Sequence, residues 1–152
     1  MRSSSSKTPP PSDPEAGVWH GKRVARRFVS PDGLTILVGR TARDNDVLTF
    51  KIAGARDFWL HAAGTSGAHV VVRNPDDLAR LPRDTLQYAA ALAAGYSGAR
   101  GTGRLSVHVA MREDVRKPRG VPDGTVTLRR FTAVRAAPLR PPTAAADTDP
   151  HG

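Results

Sequence analysis

The chain has no cysteine in its 152 residues. That excludes a disulfide framework and any thiolate metal site. No apolar run approaches the roughly 20 residues a membrane-spanning helix needs. The start, MRSSSSKTPPPSDPEA, has serines where a secretory signal would carry its apolar stretch, and no basic amphipathic helix stands out for a membrane surface. The expected compartment is therefore the cytoplasm, without membrane attachment. There is also no internal repeat, which excludes solenoid and propeller architectures.

What is present is positive charge, a formal +9. Residues 1–16 are rich in Ser and Pro and read as a disordered tail, as do residues 141–152, PPTAAADTDPHG. The first stretch balances Arg2 and Lys7 against Asp13 and Glu15, and the second adds only Asp147 and Asp149. The excess thus belongs to residues 17–140, which are long enough for one domain with a real core. Such a surface favours polyanions. The plain alternative is a genome that prefers arginine, since lysine is scarce.

Periodicity predicts an α+β domain, a mostly antiparallel twisted sheet with one main Ala-rich helix and a second short one. Val24 to Val29 and Leu34 to Val38 read as a hairpin around Ser30-Pro31-Asp32-Gly33, where Pro suits the second turn position and Gly accepts positive φ. Arg40 to Ala53 fits either a short helix or a strand near Thr49–Ile52, with the helix favoured. Within it, Asn45 and Asp46 are expected to cap. Asp57 to Ala62 and His69 to Arg73 predict a second hairpin across a small, Gly-containing loop. Asp84 and Gln87 approximate a capping box for a helix from Thr85 to Ser97, stopped by Gly98. Leu105 to Met111 alternates as a strand, Val115 to Gly124 reads as a basic loop, and Thr125–Leu128 and Thr132–Arg135 are further strands.

Period-2 geometry places Phe58, Leu60, Val70 and Val72 on an apolar face. It sends Asp57, Trp59, His61, His69 and Arg73 to the other. Indole and imidazole rings can stack on unpaired bases, and Arg73 can meet phosphate. The plain alternative is a second packed layer, with Trp59 buried and His61 bonded to Asp57. Gly64-Thr65-Ser66-Gly67 could form an anion-binding nest, or simply a turn. Arg112, Arg116, Lys117 and Arg119 form an extended basic segment suited to phosphate or to solvent alone. Zinc accepts His and Asp, but no short zinc spacing occurs and a third ligand such as His108 would have to arrive through folding. No metal or cofactor is expected, and no nucleophile or paired carboxylates mark a catalytic site.

Several short motifs in this order resemble one family. They are Phe28-x-Ser30-x-Asp32-Gly33, Val38-Gly39-Arg40, Asn45-Asp46-x-Leu48-Thr49, Asp57-x-Trp59-Leu60-His61, Gly67-x-His69-Val70-Val71, Ala89-Ala90 through Tyr96-Ser97-x-Ala99-Arg100, and Lys117-Pro118-x-Gly120. From about Phe28 to Pro138 the chain resembles the NFACT-R domain, the C-terminal RNA-binding domain of RqcH-like proteins of ribosome-associated quality control. The resemblance implies that Asp57, Trp59, His61 and His69 form the domain's functional face. It implies RNA as the partner, tRNA or rRNA, and through it the large ribosomal subunit. Larger members place an NFACT-N domain, a helix-hairpin-helix region and a coiled coil before this one. Their absence suggests a standalone form, with a separate protein partner to supply those parts.

The expected function is accordingly RNA binding without catalysis. Arg40, Arg73, Arg100, Arg112, Arg116, Lys117 and Arg119 would grip phosphate, while Trp59, His61 and His69, with Asn45 and Asp57 beside them, would serve the base or ribose. Two rivals stand against it: a nucleic-acid-processing enzyme using His61, His69 and Asp57, and a protein-interaction adaptor with a basic surface.

Overall fold

The computed structural model describes residues 11–141. Its centre is a six-stranded, fully antiparallel sheet in the order β10-β7-β5-β6-β4-β3. The strands are β3 (Ala25–Val29), β4 (Thr35–Gly39), β5 (Phe58–Ala62), β6 (Val70–Val72), β7 (Leu105–Met111) and β10 (Thr132–Ala136). Two small hairpins flank it: β1 (Val18–Trp19) with β2 (Lys22–Arg23), and β8 (Val115–Arg116) with β9 (Thr127–Leu128). The helices are α1 (Ala42–Val47) and α2 (Arg83–Gly95).

The first hairpin forms around the turn its residues predict. Gly33 takes φ +83° and donates its N–H to the Ser30 carbonyl at 2.9 Å. The Ser30 hydroxyl accepts from the Asp32 and Leu34 amides, which sets Phe28 opposite Ile36. The second hairpin pairs Phe58 with Val72 and Leu60 with Val70.

Both faces of the sheet are covered. On one, Phe28, Ile36, Phe58, Leu60, Val70 and Val72 pack with α2 through Ala89, Ala90, Leu92 and Ala93. Small helix side chains let the backbone approach the strands closely. On the other, Leu37, Trp59, Val71 and Ala110 pack beneath Leu48, Ile52 and Val115. Of the two readings of the Trp59-bearing face, the packed second layer is the one found, with Trp59 buried in it. The helical segment 42–52 and the β8–β9 hairpin form a third layer there, because Trp59 and Val71 bring enough apolar surface to need a cover.

Several local expectations shift. α1 starts from Thr41, whose hydroxyl accepts the Asp44 amide at 3.1 Å, so Asn45 and Asp46 lie inside the helix and do not cap it. The helix runs on into a π-helical turn, Leu48–Ile52, where a strand was the alternative. α2 begins at Arg83: the Pro82 carbonyl already accepts the Leu86 amide at 2.9 Å, and Asp84 sits within the first turn without capping. α2 ends at Gly95, before Gly98, and the backbone of Leu139 crosses it there so closely that a Cβ at Gly95 would collide with the Leu139 carbonyl. The basic loop after Val115 contains β8, which only its long-range partner β9 reveals. Residues 11–16, expected within a tail, carry a 3-10 turn at Pro14–Ala16 capped by Asp13. The rest of both expected tails, 1–10 and 142–152, lies outside the described residues.

Candidate nucleic-acid interface

Strand register builds the site. Beyond the Leu60–Val70 pair, the next residues across β5 and β6 are His61 and His69, and their rings meet edge to face at 5.6 Å. On its other side, β5 pairs His61 with His108 of β7. Three imidazole residues thus form a row across three strands. Trp59 stacks near-parallel on His61 at 5.8 Å and meets the edge of His69 at 5.1 Å. Phe131 lies 4.3 Å from the His108 ring, tilted by 41°.

The members of this row differ in exposure. His69 is 1% exposed and both its nitrogens are engaged by the protein. Nε2 donates to the Gly124 carbonyl at 2.9 Å, so Nδ1 accepts from the Thr49 hydroxyl at 2.8 Å, and the ring is neutral. Burial holds its pKa down at about 4. Burial also lowers the His61 pKa, against the opposing backbone groups of Gly67 and Ala62. Trp59 is 2% exposed, and its Nε1 has no hydrogen-bond partner among the described residues. His61 and His108 are half-buried and line open space.

Asn45 is a structural bracket. Its Oδ1 accepts the His69 amide at 3.0 Å and its Nδ2 donates to the Gly67 carbonyl at 3.2 Å. Gly39 has no side chain because Asn45 Oδ1 occupies the place a Cβ would take.

Asp57 does not join the row. The antiparallel pairing that brings His61 to His69 sends Asp57 to the opposite end, beside Arg73. Asp57 and His61 are four residue steps apart along the chain, about 13 Å at the usual strand rise. There Asp57 accepts the Gly54 amide at 2.9 Å and the Asn74 amide at 2.8 Å, and Arg73 donates to the Ile52 carbonyl. The expected four-residue face is thus two separate clusters. Among the described residues no three His, Asp or Glu side chains converge as a metal site.

The His61–His108 end opens into a cleft of about 1030 Å³. Its walls are the 63–68 loop, the end of α2, the start of α1 and the β8–β9 hairpin. The loop is laced to the helix end: the Ala68 amide donates to Tyr96 O at 3.0 Å and the Gly98 amide to Ser66 O at 2.8 Å. Among the described residues, Arg26, Arg40, Arg100 and Arg140 line the cleft against Asp123 as the one acid. The Tyr96 ring has the Arg26 guanidinium at 5.1 Å and that of Arg140 at 4.8 Å.

Of the cations expected at the site, Arg73, Arg112, Arg116, Lys117 and Arg119 do not line the cleft. Arg112 Nε donates to the Thr49 carbonyl and its guanidinium covers Phe50 at 4.7 Å. Burial and Arg116 lower its pKa, while Arg116 itself donates to the Glu113 carbonyl. Lys117 pairs with Asp46 at 3.2 Å and donates to the Pro122 and Thr125 carbonyls. Arg119 is exposed in the loop between β8 and β9. Arg100 donates to the Ser97 carbonyl while remaining exposed on the cleft.

Sequence reasoning missed Arg26, Tyr96, Phe131 and Arg140 as cleft residues. Arg26 lies two residues before Phe28 on the same face of β3, a placement period 2 predicts. Phe131 sits in a turn between strands of different sheets and Arg140 in a segment laid over α2, so only folding places them.

A basic cleft lined with half-buried imidazoles and an exposed phenyl ring, on an α+β scaffold, is the build of a nucleic-acid-binding module. Residues 24–130 match the family model described as NFACT protein RNA binding domain, and the chain belongs to that family. It is 38% identical over 106 residues to the Rqc2 homolog RqcH of Bacillus subtilis, covering 68% of this chain and 18% of that protein. It is 36% identical over 121 residues to the Rqc2 homolog RqcH of Streptococcus suis, covering 78% and 21%. The solved C-terminal part of the fibronectin/fibrinogen-binding protein from Streptococcus suis superposes with a TM-score of 0.73 at 31% identity, over 83% of this chain and 50% of that one. The chain spans about a fifth of the length of the curated relatives it matches.

Proposed function

We propose that this domain binds RNA through the cleft at the His61–His108 end of the sheet, and that it does so without catalysis. The observation that carries this reading is the concentration of Arg26, Arg40, Arg100 and Arg140 around the exposed Phe131 ring and the half-buried His61, Tyr96 and His108 rings, with one acid among them. Guanidinium groups bind phosphate bidentately, and rings offer faces to bases. By likeness to the RqcH proteins, the RNA is tRNA or rRNA, the setting is a stalled large ribosomal subunit, and the compartment is the cytoplasm. No helix among the described residues is long and apolar enough to cross a membrane.

If these four arginines meet phosphates, the salt slope for single-stranded RNA is about −3, and affinity falls about 50-fold from 50 to 200 mM salt. Fluorescence anisotropy with labelled tRNA and rRNA fragments measures this. A salt-independent affinity would remove the reading.

Against the processing-enzyme alternative stands the geometry of its residues. Asp57 is at the far end of β5, and both nitrogens of His69 are spent inside the protein. Labelled tRNA incubated with the protein, with and without divalent cations, is expected to stay intact.

A further inference from the structure

Phe131 is an unusual side chain for its surroundings. It is 47% exposed, among very few large hydrophobics at the surface of the described residues, and it borders an arginine-lined cleft. Its position is held firmly on both sides. Just before it, the Arg129 amide donates to Asp114 O at 2.8 Å, and the Arg129 guanidinium donates twice to the buried Asp114 carboxylate, at 2.7 and 3.0 Å. Just after it, Thr132 pairs with Val109 at the start of β10. One side of the ring leans on His108 at 4.3 Å, and behind His108 stands its register partner His61. The result is a preorganised aromatic platform whose ordering cost is met in folding and not on binding.

A flat apolar surface beside guanidinium groups suits a nucleobase whose sugar and phosphates run past the cations. A base inside an A-form duplex has both faces stacked and cannot reach such a platform. We propose that Phe131, backed by His108, is the stacking subsite for one unpaired base, and that the cleft therefore selects RNA segments with unstacked nucleotides over duplex RNA. Arg100 and Arg40 then meet the flanking phosphates. The proposal rests on the RNA-binding reading of the cleft and adds the class of RNA to it.

The test compares two probes of matched charge on the full chain: an unstructured oligoribonucleotide carrying 2-aminopurine, and a blunt RNA duplex. Expected are tighter binding of the single strand and quenching of 2-aminopurine fluorescence on binding. Phe131→Leu should weaken the single strand about 5- to 100-fold and abolish the quenching while leaving duplex affinity unchanged. Phe131→Tyr should keep both. Unchanged duplex binding and circular dichroism serve as the fold control. If the wild type binds both probes alike, or if Phe131→Leu is silent or weakens both equally, the base subsite is overturned while RNA binding by the cleft stands. If the wild type binds neither probe, the cleft reading falls with it.

Discussion

His69 of the central sheet and Gly124 of the outer hairpin, 55 positions apart, are joined by one hydrogen bond, Nε2–H to carbonyl oxygen at 2.9 Å. Through it the roof of the cleft is fastened to its floor. The Gly124 carbonyl can only accept, so Nε2 carries the proton, and in the neutral ring Nδ1 then accepts from the Thr49 hydroxyl.

Acid should therefore loosen the domain. The folded pKa of His69 is about 4, below its ordinary 6.5. Below pH 6.5 the unfolded chain takes up a proton that the folded one refuses, so stability falls as pH drops from 6.5 towards 4 and levels off beneath. The shift corresponds to about 3 kcal/mol from this group. Thermal unfolding across that range measures it. His69→Gln should be less stable at neutral pH and show a flatter profile.

Gly39→Ala should cost about 2–3 kcal/mol. Its Cβ would enter the place of Asn45 Oδ1, which accepts the His69 amide. Denaturant unfolding would report the loss. Retained stability would mean that the Asn45 bracket yields easily.

Lys117→Met separates structure from ligand contact. Lys117 holds Asp46, Pro122 and Thr125 together, and Asp46 also accepts the Gly124 amide at 3.1 Å. The substitution should lower stability by about 1 kcal/mol. At a temperature where the variant is folded, its salt slope for RNA should match the wild type. A slope reduced by about one unit would instead place Lys117 on a phosphate.

Gly95→Ala acts on the cleft from a distance. The Leu139 amide donates to Ala91 O at 2.9 Å, laying the segment that carries Arg140 across α2. A Cβ at Gly95 would push that segment away. RNA affinity should drop about as far as in Arg140→Gln. Equal effects, with no further loss in the double variant, are the signature of a shared cause.

Much of the fold was legible because its signals are local. Weak alternation marked β3, a β-branched apolar run marked β4, period-2 faces marked β5, β6 and β7, the Ser30–Gly33 turn chemistry marked the first hairpin, and the alanines of α2 marked the main helix. Where local signals competed, tertiary contacts decided. The Leu139 backbone crosses α2 at Gly95, where a Cβ would collide with it, and the helical segment 42–52 covers Trp59 and Val71. The face carrying Trp59, His61 and His69 was readable from period 2, but not its division. Only pairing partners show that Asp57 belongs with Arg73 while His61 belongs with His108.

By itself the sequence determined the family, the α+β class, the basic character and the ring-bearing strands, because motif order, periodicity and charge are written residue by residue. Tertiary structure alone decided which of those groups a ligand can reach. It buried Trp59 and His69, gave Lys117 and Arg112 hydrogen-bond partners within the protein, and gathered Arg26, Arg140 and Phe131 to the cleft from distant parts of the chain. Accessibility depends on contacts between residues far apart in sequence, and those exist only once the strands have paired.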